Sequence, residues 1–452
     1  MIRRSTLQRW TTPVKRLVAG EALVRRNPLW FGPASRRFAR LAGAPLEERR
    51  AEDARRLRAA LRLAAGTPYG RRVGGGAGLA SWPMLDSATA RLAPRDLVRH
   101  GRWALPAATG GTSGVPLPLW RSLRSVAVEQ AALDRLLRAH GVDPLRARVA
   151  VLRGDDIKDS ADRTPPFWVD VHGGRRRIFS SNHLARDTVG AYAAALREFR
   201  ADYWWVYPTT LGALLHFAAQ AGESLRAPLL FASSERLSDE LNRAARAALG
   251  CAVVDYYGQA ERVAFAWCDA PGEWRFLAGY SHVELVPAGA DESGARFEIV
   301  GTVLWNEAMP LVRYRTGDLV RFPAAPDAAA LEEIALGVRP FAGVVGRDGD
   351  ILVAPDGARL TGIDHFHRGV DRVARIQVAQ ERPERVVIRV VPAAGFGAAE
   401  RAQLEANARR KLPPSMSVEV QVVDELERTA LGKTPFVVRG PGVAGPQRVE
   451  RG

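Results

Sequence analysis

Residues able to hold an anionic, nucleotide-like ligand fall in five separate clusters of the chain. The first is ATGGTSGVPLPLW at 108–120, where Thr109, Gly110, Gly111, Thr112, Ser113 and Gly114 set three hydroxyls beside three glycines. Glycine lets backbone N–H groups approach a ligand closely and hydroxyls add donors, so the run suits a phosphate. It is not a Walker A loop, which needs Gly, four residues and then Gly-Lys-Ser/Thr. A connecting loop with no ligand fits the same composition.

The second cluster is DYYGQAERV at 255–263, after the apolar strand CAVV. Tyr257, followed by Gly258, offers a flat face on which a base can stack, and Glu261 offers Mg²⁺ one hard oxygen. In the third, RYRTGDLVRF at 313–322, Asp318 follows a Thr-Gly turn and can accept hydrogen bonds from two adjacent ribose hydroxyls; an ordinary turn aspartate is the alternative. The fourth, GVVGRDGDILVAPDGARLTG at 343–362, sets Arg347 and Asp350 at the boundary between a large and a small unit. The fifth, ERTALGKTPFVVR at 427–439, puts Lys433 on a Gly-led loop, and Glu427 stands where a Walker A loop needs its first glycine.

In this order the five segments resemble the motif series of the adenylate-forming (acyl-AMP) ligase superfamily, on its phenylacetate-CoA ligase and CapK-like branch. TGGTSGVP resembles the ATP-phosphate loop, YYGQAERV the Tyr-Gly-x-x-Glu motif, YRTGD the ribose-binding motif, GRDGDI the hinge motif and ALGKTPF the C-terminal lysine motif. GTPYGRR, SWPMLDSA, FSSNHL and VYPTTL extend the likeness toward the N-terminus. The resemblance implies that a carboxylic acid attacks the α-phosphorus of ATP, releases pyrophosphate and passes its acyl group to CoA. It assigns Thr109, Thr112 and Ser113 to the phosphates, Glu261 to Mg²⁺, Tyr257 to adenine, Asp318 to the ribose and Arg347 to ribose or phosphate. Lys433 then reaches the α-phosphate and the attacking carboxylate from a mobile small domain that turns about Asp350. A planar guanidinium cannot replace a compact ammonium between two oxygens, so Lys suits that position and Arg does not. Val115 and Ala260 depart from the Lys and Thr common at these places in the family, which bears on efficiency more than on reaction class.

Around these clusters strand and helix alternate. A helix over 125–141, a strand over 147–154, a helix over 187–199 and the run YWWVYP at 203–208 are followed by APLLFASS, a helix over 237–250 and CAVVDYYG. This is the pattern of an α/β domain with a largely parallel sheet, whose ligands sit beyond the strands' carboxyl ends. From 279 to 322 the pattern turns to β, and 323–340 is a connecting excursion. The expected division is an N-terminal adenylation domain over 1–346, a small α+β domain over 347–440 and a frayed Gly/Pro-rich tail over 441–452. EERRAEDARRLRAALRLAA at 47–65 reads as an exposed amphipathic helix.

The length of 452 residues suits two unequal domains, and 47% hydrophobic against 25% charged residues is a globular balance. Net charge is +16, yet only Lys15, Lys158, Lys411 and Lys433 are lysines among 65 basic residues. The arginines are scattered among acids instead of clustered, so nucleic acid is not an expected partner. Cys251 and Cys268 build no disulfide scaffold, and with His282 they match no standard zinc spacing. No apolar run approaches a membrane span and no secretory leader is evident, so a cytoplasmic enzyme is expected. The acyl acceptor remains open between CoA and an amine or hydroxyl, and a homodimer is among the assembly options. A non-catalytic basic binding protein is the reading from another class.

Overall fold

The computed structural model describes residues 24–443 other than 77, 100, 102, 110–116, 154–156, 159–161, 182, 236, 238, 292–293, 347–351, 357–358, 361–362, 364–365, 368–369, 371, 393–394, 428–435 and 441–442. Strands β1 (Leu105–Ala108) and β2 (Pro118–Arg121) pair antiparallel. The main sheet takes eight strands: β3 (Val149–Leu152), β4 (Trp168–Val171), β5 (Arg176–Phe179), β6 (Tyr203–Val206), β7 (Leu229–Ser233), β8 (Ala252–Gly258), β9 (Phe265–Cys268) and β10 (Arg275–Phe276), in the order β10-β9-β8-β7-β6-β3-β5-β4. Its centre, from β8 to β5, is parallel and its edge strands antiparallel. VAVL and LLFAS are buried throughout, as strands covered on both faces must be. The helices Val189–Phe199, Pro208–Ala221 and Asp239–Leu249 pack on one face, and Pro28–Ala42 and Leu123–Ala139 on the other.

A second sheet, fully antiparallel, follows: β11 (Ser281–Asp291), β12 (Gly294–Val303), β13 (Tyr314–Phe322) and β14 (Val344–Gly346). Beyond it lie the short pair β15 (Leu352–Val353) and β16 (Arg359–Leu360), then a four-stranded sheet of β17 (Val373–Arg382), β18 (Arg385–Pro392), β19 (Ser417–Val422) and β20 (Val437–Arg439), backed by the helix Ala398–Arg409. One hydrophobic core is built wholly from residues between Leu352 and Val437, with Phe366, Val378, Ile388 and Leu404 fully buried. The chain is thus mixed α/β, with a large, mainly parallel sheet and β-rich parts.

Two expectations need correction. The 47–65 segment is a helix, Leu46–Ala65, but it buries Arg49, Glu52 and Asp53. Arg49 donates to the carbonyls of Ala42, Ala44 and Leu336, and Asp53 binds His282 Nδ1 at 2.7 Å. Charges on that face have partners, so charge alone did not mark it as solvated. The connecting excursion holds a helix of its own, Ala328–Ala335, capped by Asp327. Tyr203 and Trp204 are buried core residues, and His282 is a structural partner of Asp53; among the described residues no group of three His, Cys, Asp or Glu can hold a metal ion.

Gly301 on β12 lies against the connection between β8 and β9: a Cβ there would lie 2.0 Å from the Val263 carbonyl oxygen. Gly301→Ala is therefore expected to cost about 1–3 kcal/mol of overpacking, read as a lower urea midpoint at unchanged slope. An unchanged midpoint would show that the 259–264 turn is free to retreat from β12.

Candidate functional site

The sequence between β8 and β9 must reverse the chain in six residues, Gln259 to Ala264. The Gln259 side chain accepts the Ala264 N–H at 3.1 Å, and Arg262 takes a left-handed φ of 59°, uncommon for a side chain of its size. Val263 and Ala264 are buried against the second sheet. Glu261 lies at the head of this turn, where its Oε1 accepts a 2.8 Å hydrogen bond from the Tyr314 hydroxyl of β13.

Opposite, β13 breaks its ladder with β12. The register passes from Glu298↔Leu319 to Val300↔Arg315, so Thr316, Gly317 and Asp318 together oppose Ile299. The predicted Thr-Gly turn is thus a bulge inside a strand, which lifts three residues out of the pairing and re-aims a side chain. Gly317 supplies the required φ of 75°. Thr316 donates to the Ile299 carbonyl and accepts the Asp318 N–H, while the buried Glu298 accepts the Gly317 N–H and pairs with Arg315 at 2.5 Å. Asp318 then accepts a 2.7 Å hydrogen bond from the Tyr257 hydroxyl of β8. Tyr257 serves Asp318 and Tyr314 serves Glu261, so each carboxylate is positioned by a phenol from the opposing sheet.

Of the other expected site residues, Gly258 ends β8. Thr109 closes the neck of the β1–β2 connection: its N–H donates to the Leu117 carbonyl and its Oγ1 accepts the Leu117 N–H at 2.9 Å. Part of the hydroxyl set assigned to phosphate is thus engaged in shaping the loop that bears it. Gly110, Gly111, Thr112, Ser113 and Gly114 lie outside the described residues, as do Arg347, Asp350 and Lys433. Their flanks are fixed. Gly346 pairs with Leu319, next to Asp318, and before the lysine segment Gln377 holds both backbone groups of Glu427. After it, β20 runs parallel to β17.

Sequence reading missed Tyr314, Arg121 and Glu298. Tyr314 stands four residues before Asp318 in the same YRTGD segment, the one local signal that it belongs with the site. Arg121, at the end of β2, donates to the Ala260 carbonyl at 2.7 Å, and nothing local in the sequence joins these positions.

Burial, reinforced by the Asp318 charge, holds the Tyr257 phenol well above its ordinary value, so it is a donor throughout the physiological range. Because the shift is upward, the stability it confers is fully present below the unfolded value of about 10 and is lost as pH rises toward the folded one. Titration at 295 nm should find the same tyrosinate signal at pH 10.5 in the wild type and in Tyr257→Phe. That variant should also lose about 1–3 kcal/mol of stability at pH 7 through the orphaned carboxylate. One fewer titrating tyrosine in the variant would contradict the placement.

Residues 352–440 match the CapK C-terminal domain family. Over 214 residues the chain is 23% identical to Protein CapK of Staphylococcus aureus, covering 47% of this chain and 46% of that one. Over 200 residues it is 28% identical to a phenylacetate-coenzyme A ligase of Pseudomonas putida, covering 42% of each. The chain thus spans about half the length of the curated relatives it matches. A solved 2-hydroxyisobutyryl-CoA ligase, bound to 2-HIB-AMP and CoA in its thioesterification state, shares the fold at a TM-score of 0.50 and 17% identity, over 88% of this chain and 91% of that one. The chain is thus similar to CapK and phenylacetate-CoA ligase proteins over about half of its length, matches the CapK C-terminal domain at 352–440, and shares its fold with a CoA ligase.

Proposed function

We propose that the chain is an AMP-forming acyl-CoA ligase. A carboxylate oxygen of a small acid attacks the α-phosphorus of ATP, the bond from that phosphorus to the β-phosphate bridging oxygen breaks, and pyrophosphate leaves. The CoA thiol, giving up its proton, then attacks the acyl carbonyl, and AMP departs with the electrons of the mixed anhydride bond. The observation that supports this reading best is the reciprocal pair of phenol–carboxylate contacts near the carboxyl end of β8, which ties Asp318 to the main sheet and Glu261 to the second.

In this reading Asp318 takes the ribose hydroxyls, the Tyr257 ring meets adenine beside Gly258, and Arg347 assists at ribose or phosphate. Thr109 and Gly110 to Gly114, with the Thr112 and Ser113 hydroxyls, wrap the β- and γ-phosphates. Mg²⁺ fits Glu261: one carboxylate oxygen is held by Tyr314, and among the described residues no group of three His, Cys, Asp or Glu forms an all-protein cage. A single protein carboxylate completed by phosphate oxygens and water is how Mg²⁺ is usually bound beside ATP, where it supplies charge neutralisation. Lys433 approaches from the 347–440 unit, which pivots at Asp350 between the two half-reactions. None of the described helices is long and apolar enough to cross a membrane, in keeping with a cytoplasmic place of action.

ATP–pyrophosphate exchange over a panel of carboxylic acids tests the first half-reaction. Exchange that depends on one acid class and falls about 10²–10³-fold in Lys433→Ala is expected, the loss typical of one preorganised charge at a developing anion. Exchange equal in the variant would overturn the assignment of Lys433. Supplying CoA, then hydroxylamine or amines, to the charged enzyme identifies the acceptor: thioester formation only with CoA supports the ligase, and exclusive amide or ester formation supports a transferase.

A further inference from the structure

Adjacent residues of a strand face opposite sides of its sheet, and β8 uses both. Tyr257 packs with the second sheet, whereas Tyr256 packs with the core beneath the helix Leu123–Ala139. On that other face Phe231, Tyr256 and Phe265 form an aromatic floor, with ring centroids 5.4 and 5.2 Å apart. At one end of the floor stand two guanidinium groups. Arg262 donates to the Ser125 carbonyl at 2.9 Å and lies 3.5 Å from Glu129 Oε2, an oxygen that already accepts the Tyr280 hydroxyl. Arg121 spends one nitrogen on the Ala260 carbonyl, and its Nε is buried with no hydrogen-bond partner among the described residues.

One carboxylate, Glu129, therefore faces two largely buried cations. Glu261, the other nearby acid, is engaged by Tyr314 and, in the ligase reading, by magnesium. Burial first, then the neighbouring Arg262, pushes Arg121 down to about 10, with Glu129 and Glu261 acting in the opposite direction. An uncompensated buried charge is costly, and such groups concentrate where a ligand supplies the missing partner. Tyr256 is half-buried between Glu129, Arg153, Tyr207 and Arg262; burial first, then Glu129, keeps it a phenol able to donate.

We propose that the acid activated by this chain bears a second oxyanion, remote from the reacting carboxylate, which Arg121, Arg262 and the Tyr256 hydroxyl receive while the body of the acid lies beside the half-buried Tyr256 ring. The proposal rests on the ligase reading and deepens it by naming the substrate class. In the ligase reading the base and ribose lie with Tyr257 and Asp318 on the opposite face of β8, and the KM for ATP in the test below separates a role at the nucleotide phosphates from one at the acid. Carboxylate and phosphate share the required chemistry.

The test compares kcat/KM in pyrophosphate exchange for matched pairs of acids: a monocarboxylate, its ω-carboxylate and its ω-phosphate. The full-length wild type is expected to prefer a doubly anionic acid at least tenfold, the better of the two tail groups identifying the source. Arg121→Gln and Arg262→Asn, the latter suited to the left-handed backbone, should each cut that preference at least tenfold, while Arg121→Lys retains most of it and controls for folding. Equal use of mono- and dianionic acids by the wild type, or an unchanged preference with a raised KM for ATP in Arg121→Gln, overturns the proposal. If no acid supports exchange, the ligase reading fails by itself. Thermal shift with the same acids then decides the pocket: stabilisation by dianionic acids that disappears in Arg121→Gln supports it, and no stabilisation overturns it.

Discussion

Two phenol–carboxylate hydrogen bonds linking the two large sheets determine much of the site. Tyr257 reaches from the main sheet to Asp318, and Tyr314 reaches from the second sheet to Glu261. Each carboxylate sits where its backbone alone would not hold it, one on a bulge and one on a six-residue turn. A phenol raised well above its ordinary value by burial, as Tyr257 is, donates without competition from its own ionisation. The exchange also couples the sheets: moving β13 relative to β8 would stretch both contacts at once. Gly301, in near contact with Val263, and Gly317, in the left-handed region, are the two positions where that arrangement demands glycine.

The local grammar of the main sheet was legible in the sequence because it depends on period and punctuation. Apolar runs such as VAVL and LLFAS became central strands, and the helices between them lie within a few residues of the expected bounds. The small unit's strands and helix were equally plain, since each is a short alternating or amphipathic segment. Asp318 was found as a candidate from its motif but placed on a turn, because Thr-Gly-Asp has the composition of a turn. What holds it in a strand is Glu298, twenty residues earlier, which sequence pattern does not couple to it. The partners Tyr257–Asp318 and Tyr314–Glu261 are 61 and 53 residues apart, and a pairing at that distance has no local signature. Thr109 was assigned only to phosphate because its cross-loop contact to Leu117 depends on the β1–β2 pairing.

The arginine excess also takes a different form in three dimensions. A surplus of basic over acidic side chains cannot be matched one to one, and the fold satisfies many guanidinium groups elsewhere. Arg246 binds the carbonyls of Val253 and Asp269, Arg275 that of Val338, and Arg49 three carbonyls at once. Arg37, Arg56 and Arg124 lie over the single ring of Trp305, at 4.2–4.9 Å from its centroid. Five donors in a plane, weak hydration and affinity for aromatic faces make arginine suited to these uses, whereas lysine is not. A chain built this way can be strongly basic without presenting a nucleic-acid footprint. The pair Arg121 and Arg262 differs from this background in being gathered, largely buried and short of acid.

The central claim is that the site joins a carboxylate to the α-phosphorus of ATP, and its most direct measurement follows the oxygen. An acid labelled with ¹⁸O in its carboxylate is incubated with ATP, magnesium, CoA and the full-length protein, and the nucleotide product is examined by mass spectrometry. Attack at the α-phosphorus predicts AMP with one ¹⁸O atom, formed together with pyrophosphate, because the bridging oxygen of the acyl-adenylate stays with phosphorus when CoA takes the acyl group. ADP with inorganic phosphate, or AMP without label, would contradict the account.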